Sequence, residues 1–267
     1  MRFAFHKMHG LGNDFVVIDA REQDVAITRE RARAIADRHT GIGCDQVILL
    51  EPSNSADFCM RIFNADGGEV EQCGNALRCV ASLTGVQRIE TQGGLVEASV
   101  DAHGAEIDMG APRFDAADIP LAYTLDTADL PTGWGALEHG AAVNIGNPHV
   151  VFFVPDLAAV PLDELGPEIE HDPLFPQRVN VNVAEVTGPA SLRLRVWERG
   201  AGLTQACGTG ACATAVVAIR RGLVTSPVAV HLPGGALTIA WAQGQTIRMT
   251  GPATHVFSGE AELETFG

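Results

Sequence analysis

Two cysteines carry the strongest chemical signal in the chain. Cys73 stands in Glu71-Gln72-Cys73-Gly74-Asn75-Ala76, and Cys207 in Gln205-Ala206-Cys207-Gly208-Thr209-Gly210. Their separation is 207 − 73 = 134 residues in a chain of 267. A motif repeated at half the chain length points to two similar domains, each offering one thiol to a shared cleft. Opposed thiols acting on a small carbon acid can take a proton from one face and return one to the other. That is racemase or epimerase chemistry without a cofactor.

The residues around each cysteine suit that task. After Gly74, the apolar residues Ala76, Leu77, Val80 and Leu83 recur at helical spacing; Ala211, Ala215, Val216 and Ile219 do the same after Gly208. Each cysteine therefore sits at a helix start, where free N–H groups and the helix dipole favour a thiolate. The following glycine lets a ligand approach the backbone closely. The N–H groups of Gly74 and Asn75, and of Gly208 and Thr209, can hold a carboxylate. Such donors strengthen when negative charge flows into that carboxylate on loss of the α-proton. One motif alone is equally well read as a buried core cysteine; the matched pair favours chemistry. Cys44, Cys59, Cys79 and Cys212 read as small core residues.

The remaining pattern predicts elements able to hold these helices. Residues 15–19, 46–50 and 58–63 read as strands, and 28–38 as a helix with Thr28 as N-cap. Residues 89–109 read as antiparallel strands with turns at Gly93-Gly94 and His103-Gly104. Residues 111–132, rich in Pro, Asp and Ala, read as a linker. Strands then recur around 141–143, 149–154 and 192–197, before the second cysteine helix and further strands. The expected fold class is α+β: two pseudo-symmetric domains, each a mixed or antiparallel sheet wrapped around a central helix. The expected domains are 1–115 and 116–253, with the tail at about 254–267 packing back on the first.

Composition excludes several partners. Asp+Glu number 33 against Lys+Arg 18, a formal net charge of −15. Such a surface argues against nucleic acid and anionic membranes. No apolar run is long enough to span a bilayer, and the N-terminus shows no signal peptide. The chain therefore reads as cytoplasmic, with its six cysteines reduced. Lys7 is the only lysine, and its neighbours do not resemble a Schiff-base site, which disfavours pyridoxal phosphate. No metal is expected, since no histidine pair stands near the cysteines. No phosphate-loop motif is present.

Further motifs carry a family resemblance. Gly10-Leu11-Gly12-Asn13-Asp14-Phe15, Gly41-Ile42-Gly43-Cys44-Asp45-Gln46, Phe63-Asn64-Ala65-Asp66-Gly67, Gly146-Asn147-Pro148-His149, Arg178-Val179-Asn180 and Trp197-Glu198-Arg199-Gly200 stand in order with the two cysteine motifs. Together they resemble the diaminopimelate epimerases. The resemblance implies interconversion of LL- and meso-2,6-diaminopimelate, on the route to lysine and peptidoglycan, by a homodimer without cofactor. It implies that Cys73 and Cys207 transfer the protons and exchange roles with reaction direction. It assigns the backbone at Gly74, Asn75, Gly208 and Thr209 to the carboxylate at the reacting centre. Asn13, Gln46, Asn64, Asn147, Asn180, Glu198 and Arg199 are implied substrate contacts, largely at the non-reacting end. His149 is a possible supporting residue. The side chains suit a substrate with a zwitterion at each end, since amides both donate and accept, and a Glu–Arg pair can meet an ammonium and a carboxylate.

Other readings stay open. Proline racemases and phenazine-biosynthesis isomerases share the implied fold; the first lack a distal amino-acid head on their substrate, and the second use a carboxylate in place of thiols. From other classes, an amino-acid-binding protein or a thiol redox protein could carry the same cysteines.

Overall fold

The structure is a computed structural model that describes every residue except Asp24 and His103. The His103-Gly104 turn therefore lies partly outside the described residues. The chain divides into two units, residues 1–107 with 251–267, and residues 108–250.

Unit 1 begins with β1 (Arg2–Gly10) and β2 (Asn13–Asp19), then α1 (Arg29–Ala36), β3 (Gln46–Glu51), β4 (Phe58–Asn64) and the short β5 (Glu69–Val70). The helix α2 (Gly74–Thr84) follows, and β6 (Arg88–Thr91), β7 (Gly94–Asp101) and β8 (Gly104–Asp108) complete the series. β1 pairs antiparallel with β2, β2 parallel with β3, and β3 antiparallel with β4. β4 pairs antiparallel with β5 and parallel with β6, after which β6, β7 and β8 run as an antiparallel meander. Thr28 caps α1 by accepting a hydrogen bond from the Arg31 amide at 3.3 Å. Ala32, Ile35 and Ala36 of that helix pack with Val16, Ile18, Val47 and Leu49 of the sheet. α2 is apolar nearly all round and buried from Gly74 to Ala81, as a helix wrapped by sheet must be.

Unit 2 repeats the plan. It contains β9 (Ala141–Asn144), β10 (Pro148–Phe153), α3 (Leu162–Glu170), β11 (Asn180–Gly188), β12 (Ser191–Glu198), β13 (Gly202–Thr204), α4 (Gly208–Arg220), β14 (Val228–Leu232), β15 (Gly235–Ala240) and β16 (Arg248–Gly251). The pairings run antiparallel, parallel, antiparallel, antiparallel and parallel from β9–β10 through β12–β14, then antiparallel to β16. This is the order seen in unit 1. Even the registers correspond: Phe15 faces Gln46 in one unit and His149 faces Asn180 in the other, at separations of 149 − 15 = 134 and 180 − 46 = 134. The last strand, β17 (Thr254–Glu262), returns to unit 1 and pairs antiparallel with β1.

Several elements differ from the sequence expectation. β1, β11, β17 and α3 are regular elements that the sequence reading did not assign. α3 holds Gly166 and Pro167, residues that normally break helices; here Pro167 falls in a helix of only nine residues, where few intrahelical bonds are lost. Residues 111–132 are not a linker. Ile119 and Leu130 are buried in the core of unit 2 with Trp134, Leu137, Phe152 and Phe175, and the segment reads as a tether only because Pro and Asp stand between its apolar anchors. No helix among the described residues is long and apolar enough to cross a membrane.

Candidate active site

In unit 1, Cys73 is the N-cap of α2 in extended conformation (φ −144°, ψ 110°), and its carbonyl accepts from the Leu77 amide at 2.9 Å. The amides of Gly74 and Asn75 therefore belong to the first turn, where no intrahelical acceptor exists for them. The Cys73 thiol lies 3.8 Å from Asn13 Oδ1, to which it donates. Asn75 Nδ2 donates to the same oxygen at 3.2 Å. Asn13 Nδ2 donates to Asp45 Oδ2 at 2.9 Å, and Arg78 donates to Asn75 Oδ1 at 2.8 Å. Arg78 is fully buried and also donates to the carbonyls of Gly74 and Pro252, both at 3.4 Å.

Asp45 belongs to a charged cluster at the edge of this network. Arg38 bridges Asp45 Oδ1 at 2.8 Å and Asp14 Oδ1 at 2.6 Å. Lys7, the only lysine, donates to Asp14 and to the Gly43 carbonyl. Burial acts to raise the Asp14 carboxyl, but hydrogen bonds from Arg38 and Lys7 outweigh it and bring its pKa down to about 2. Lys7 is thus held as an ion-pair partner. Gln46 and Asn64 face each other across β3 and β4, and Gln46 Nε2 donates to Asn64 Oδ1 at 2.8 Å. Gln46 Oε1 is buried and meets no donor among the described residues, so it can accept from a bound ammonium or amide at low desolvation cost. Gln46 and Asn64 bond to one another and not to the Cys73 network.

In unit 2, Cys207 caps α4 in nearly the same conformation (φ −123°, ψ 110°), but its sulfur accepts from the Gly210 amide at 3.4 Å. Thr209 Oγ1 lies 3.6 Å from the sulfur. The Glu198 carboxylate, at the end of β12, stands near enough to the thiol for its charge to act on the sulfur. Burial raises the Glu198 carboxyl above the ordinary range, against the hydrogen bond from Thr204 at 2.5 Å. Burial and the neighbouring Glu198 charge push the Cys207 thiol well up, opposed by Thr209 and the Gly210 amide. Two poorly solvated acids, both raised above their ordinary range, thus stand side by side, and such pairs are common where protons are transferred.

A second chain of hydrogen bonds reaches Cys207 through Thr209. Asn182 Nδ2 donates to the carbonyls of Val150 and Asn180 at 3.0 and 3.3 Å, and lies 3.1 Å from His149 Nδ1. An amide nitrogen only donates, so His149 Nδ1 accepts and the ring proton sits on Nε2. That proton is donated to Asn147 Oδ1 at 2.8 Å, and Asn147 Nδ2 reaches Thr209 Oγ1 at 3.4 Å. Complete burial, with a smaller contribution from Arg199, lowers the His149 pKa to about 3, so the ring stays neutral. Asn180 donates to the Pro148 carbonyl at 2.8 Å and accepts from the Arg199 amide at 3.0 Å. The Arg199 guanidinium bonds the Gln177 carbonyl, apart from the thiol.

The predicted site residues therefore divide between the two units, most of them clustered around a cysteine. Asn13, Cys73, Gly74 and Asn75 meet in unit 1, with Gln46 and Asn64 as a separate pair. Asn147, His149, Glu198, Cys207, Gly208 and Thr209 meet in unit 2, with Asn180 and Arg199 alongside. Asp45, Arg78, Asn182 and Thr204 were not foreseen as site residues. The spacing offered a signal for two of them: Asn182 shares a strand face with Asn180, and Arg78 stands three residues beyond Asn75 on a helix. Among the described residues no group of three or more His, Cys, Asp or Glu is placed to hold a metal.

Comparison with known proteins gives consistent results. The diaminopimelate epimerase family model matches residues 5–114 and 141–256. A diaminopimelate epimerase of Sphingopyxis alaskensis is 66% identical over 264 residues, covering 98% of each chain. One from Zymomonas mobilis is 53% identical over the full length of both. Among solved structures, a PhzF-family phenazine biosynthesis protein of Bacillus anthracis matches with a TM-score of 0.68 at 16% identity, covering 98% of this chain and 99% of that one. A hydroxyproline epimerase from Agrobacterium vitis matches with a TM-score of 0.67 at 16% identity, covering 97% and 91%. At such identities the structural likeness concerns the fold alone.

Proposed function

Because the chain belongs to the diaminopimelate epimerase family, we propose that it interconverts LL- and meso-2,6-diaminopimelate by two-thiol proton transfer without a cofactor. The observation that carries this reading is the matched placement of Cys73 and Cys207 as N-caps of α2 and α4. The α C–H bond breaks as one sulfur takes the proton, and the electron pair moves into the carboxylate. The other thiol then delivers its proton to the opposite face of the carbon, and the electron pair returns to form the new C–H bond. N–H groups of Gly74 and Asn75, and of Gly208 and Thr209, stabilise the carboxylate as it gains charge. On the Cys207 side, Glu198 accepts the thiol proton and prepares the sulfur as base.

The substrate meets Asn13, Gln46, Asn64, Asn147, Asn180, Glu198 and Arg199, largely at its non-reacting end, while Asn13 and Glu198 also stand beside the thiols. His149 supports the site by holding Asn147. The two units serve as the two catalytic domains. The reaction belongs to lysine and peptidoglycan precursor synthesis, in the cytoplasm, with a homodimer as the working form. The involvement of Lys7 with Asp14 and Gly43 supports chemistry that uses no Schiff base.

The test is α-proton exchange in D2O with reduced protein and LL-diaminopimelate, followed by NMR. Deuterium at the α-carbon with appearance of the meso form is the expected result. Exchange on proline or hydroxyproline in its place would assign a different substrate, and binding without exchange would leave a binding protein.

A further inference from the structure

Beside the thiol of Cys73 lies a chain of side chains whose hydrogen-bond direction is fixed at both ends. A guanidinium can only donate, and a carboxylate can only accept. Arg78 donates to Asn75 Oδ1 at 2.8 Å, which turns Asn75 Nδ2 toward Asn13 at 3.2 Å. At the other end the Asp45 carboxylate takes Asn13 Nδ2 at 2.9 Å. Both amides are thereby locked in one of their two flips. The result is that Asn13 presents its carbonyl oxygen, not its NH2, to Cys73 Sγ at 3.8 Å. An acceptor at that position favours a sulfur that still carries its proton and disfavours a thiolate. Unlike Glu198, an amide oxygen cannot accept the proton outright.

We propose that Asp45 and Arg78 are positioning residues that fix this direction and so favour the protonated form of Cys73 while no substrate is bound. The proposal rests on the two-thiol reading above and extends it to residues that touch neither substrate nor sulfur. Asp45 is itself fixed by Arg38 at 2.8 Å and by donation from the Asp14 amide at 3.1 Å. The charged groups of this network are Asp45, Asp14, Arg38, Lys7 and Arg78, with the titratable thiol of Cys79 further along α2.

Asp45→Asn breaks the rule at one end while keeping the shape. The new carboxamide can donate to Asn13 Oδ1, which removes the stronger of the two constraints on that amide. Asn13 can then turn its NH2 toward the sulfur and stabilise a thiolate, giving up only the longer bond from Asn75 Nδ2 at 3.2 Å. The experiment is site-resolved iodoacetamide alkylation of Cys73 across a pH series, in wild type and Asp45→Asn, at low salt and at 1 M salt. The alkylation midpoint for Cys73 is expected to fall by about one pH unit, an approximately tenfold faster reaction at neutral pH. Mere loosening of the structure would raise the plateau and leave the midpoint in place. Loss of one exposed negative charge would also lower the midpoint, but at 1 M salt, with a screening length of about 3 Å, that effect largely vanishes. An unchanged midpoint, or a shift abolished by salt, overturns the proposal. Arg78→Gln adds an independent reading, since loss of positive charge alone would raise the midpoint, whereas release of Asn75 lowers it. If Arg78→Gln does not fold, Asp45→Asn decides alone. The alkylation needs no substrate, so failure of wild type to exchange the diaminopimelate α-proton would remove the epimerase reading without deciding this one.

Discussion

The two cysteine sites occupy the same place in the same fold, yet their sulfurs meet different partners. Cys73 is half-buried, and its thiol donates to an amide oxygen. Cys207 is buried, and its sulfur accepts from a backbone amide while a carboxylate stands beside it. The strand pairings correspond one for one, and the offset of 134 residues holds for Asn13 and Asn147, Gln46 and Asn180, and Asn64 and Glu198. The scaffold has been kept while the side chains have diverged. Asn64 is neutral where Glu198 is acidic; Phe15 fills the place of His149. The two sulfurs therefore meet unlike hydrogen-bond environments, which bias their protonation differently.

The largest test of this comparison is removal of each thiol. Cys73→Ser and Cys207→Ser should each lower kcat by about 10³-fold, within the range for loss of a general acid or base; near-normal turnover by either variant would end the two-thiol reading. Glu198→Gln and Asn64→Ala then compare matched positions. Glu198→Gln should cost about 10²-fold in kcat, because Cys207 loses the group that takes its proton. Asn64→Ala should act mainly on KM; if the two variants behave alike, Glu198 is only a binding residue.

The His149–Phe15 pair makes a stability prediction. His149 titrates at about 3 in the folded chain against an ordinary 6.5, so the unfolded chain binds more protons between those values. Stability from this group is full above pH 6.5 and is lost as pH falls, by roughly 1.4 kcal/mol per unit. Denaturant unfolding of wild type and His149→Gln across pH 4 to 7 should show the steeper slope in wild type. Phe15, its counterpart, contributes no such slope.

The smallest expected effects lie one turn into the cysteine helices. A Cβ on Gly210 would meet Asn182 Oδ1 at 2.6 Å and Cys207 Sγ at 3.2 Å. Gly210→Ala should therefore destabilise by about 1–3 kcal/mol and disturb Cys207. The counterpart is Ala76, fully buried without difficulty, and Ala76→Gly should cost only about 1 kcal/mol through helix propensity. Thermal unfolding of both variants reads the difference; equal losses would show that the two helix starts are packed alike.

Much of this was legible in the sequence because the cysteine helices announce themselves twice. Gly74 and Gly208 each open an apolar run of helical period, and burial on all sides follows from that composition. α3 was hidden by Gly166 and Pro167, and residues 111–132 by their prolines and aspartates. β1 and β17 escaped notice because pairing between distant segments leaves no local mark; β17 is mostly exposed and lacks the alternation that reveals a half-buried strand. At the site, residue types indicated hydrogen bonding but not its direction. Asp45 and Arg78 gain their meaning only when Asn13 and Asn75 are seen between them.

The pairing of β1 with β17 also bears on how the chain is made. β1 ends at Gly10 and its partner begins at Thr254, 254 − 10 = 244 residues later in translation. Unit 2, by contrast, is a single uninterrupted stretch. A chain emerging from the ribosome can therefore finish its second half while the outer edge of β1 still lacks its neighbour. Unit 1 can build β1 to β8 first, but its last edge is closed only when β17 arrives, after every strand of unit 2 has been made.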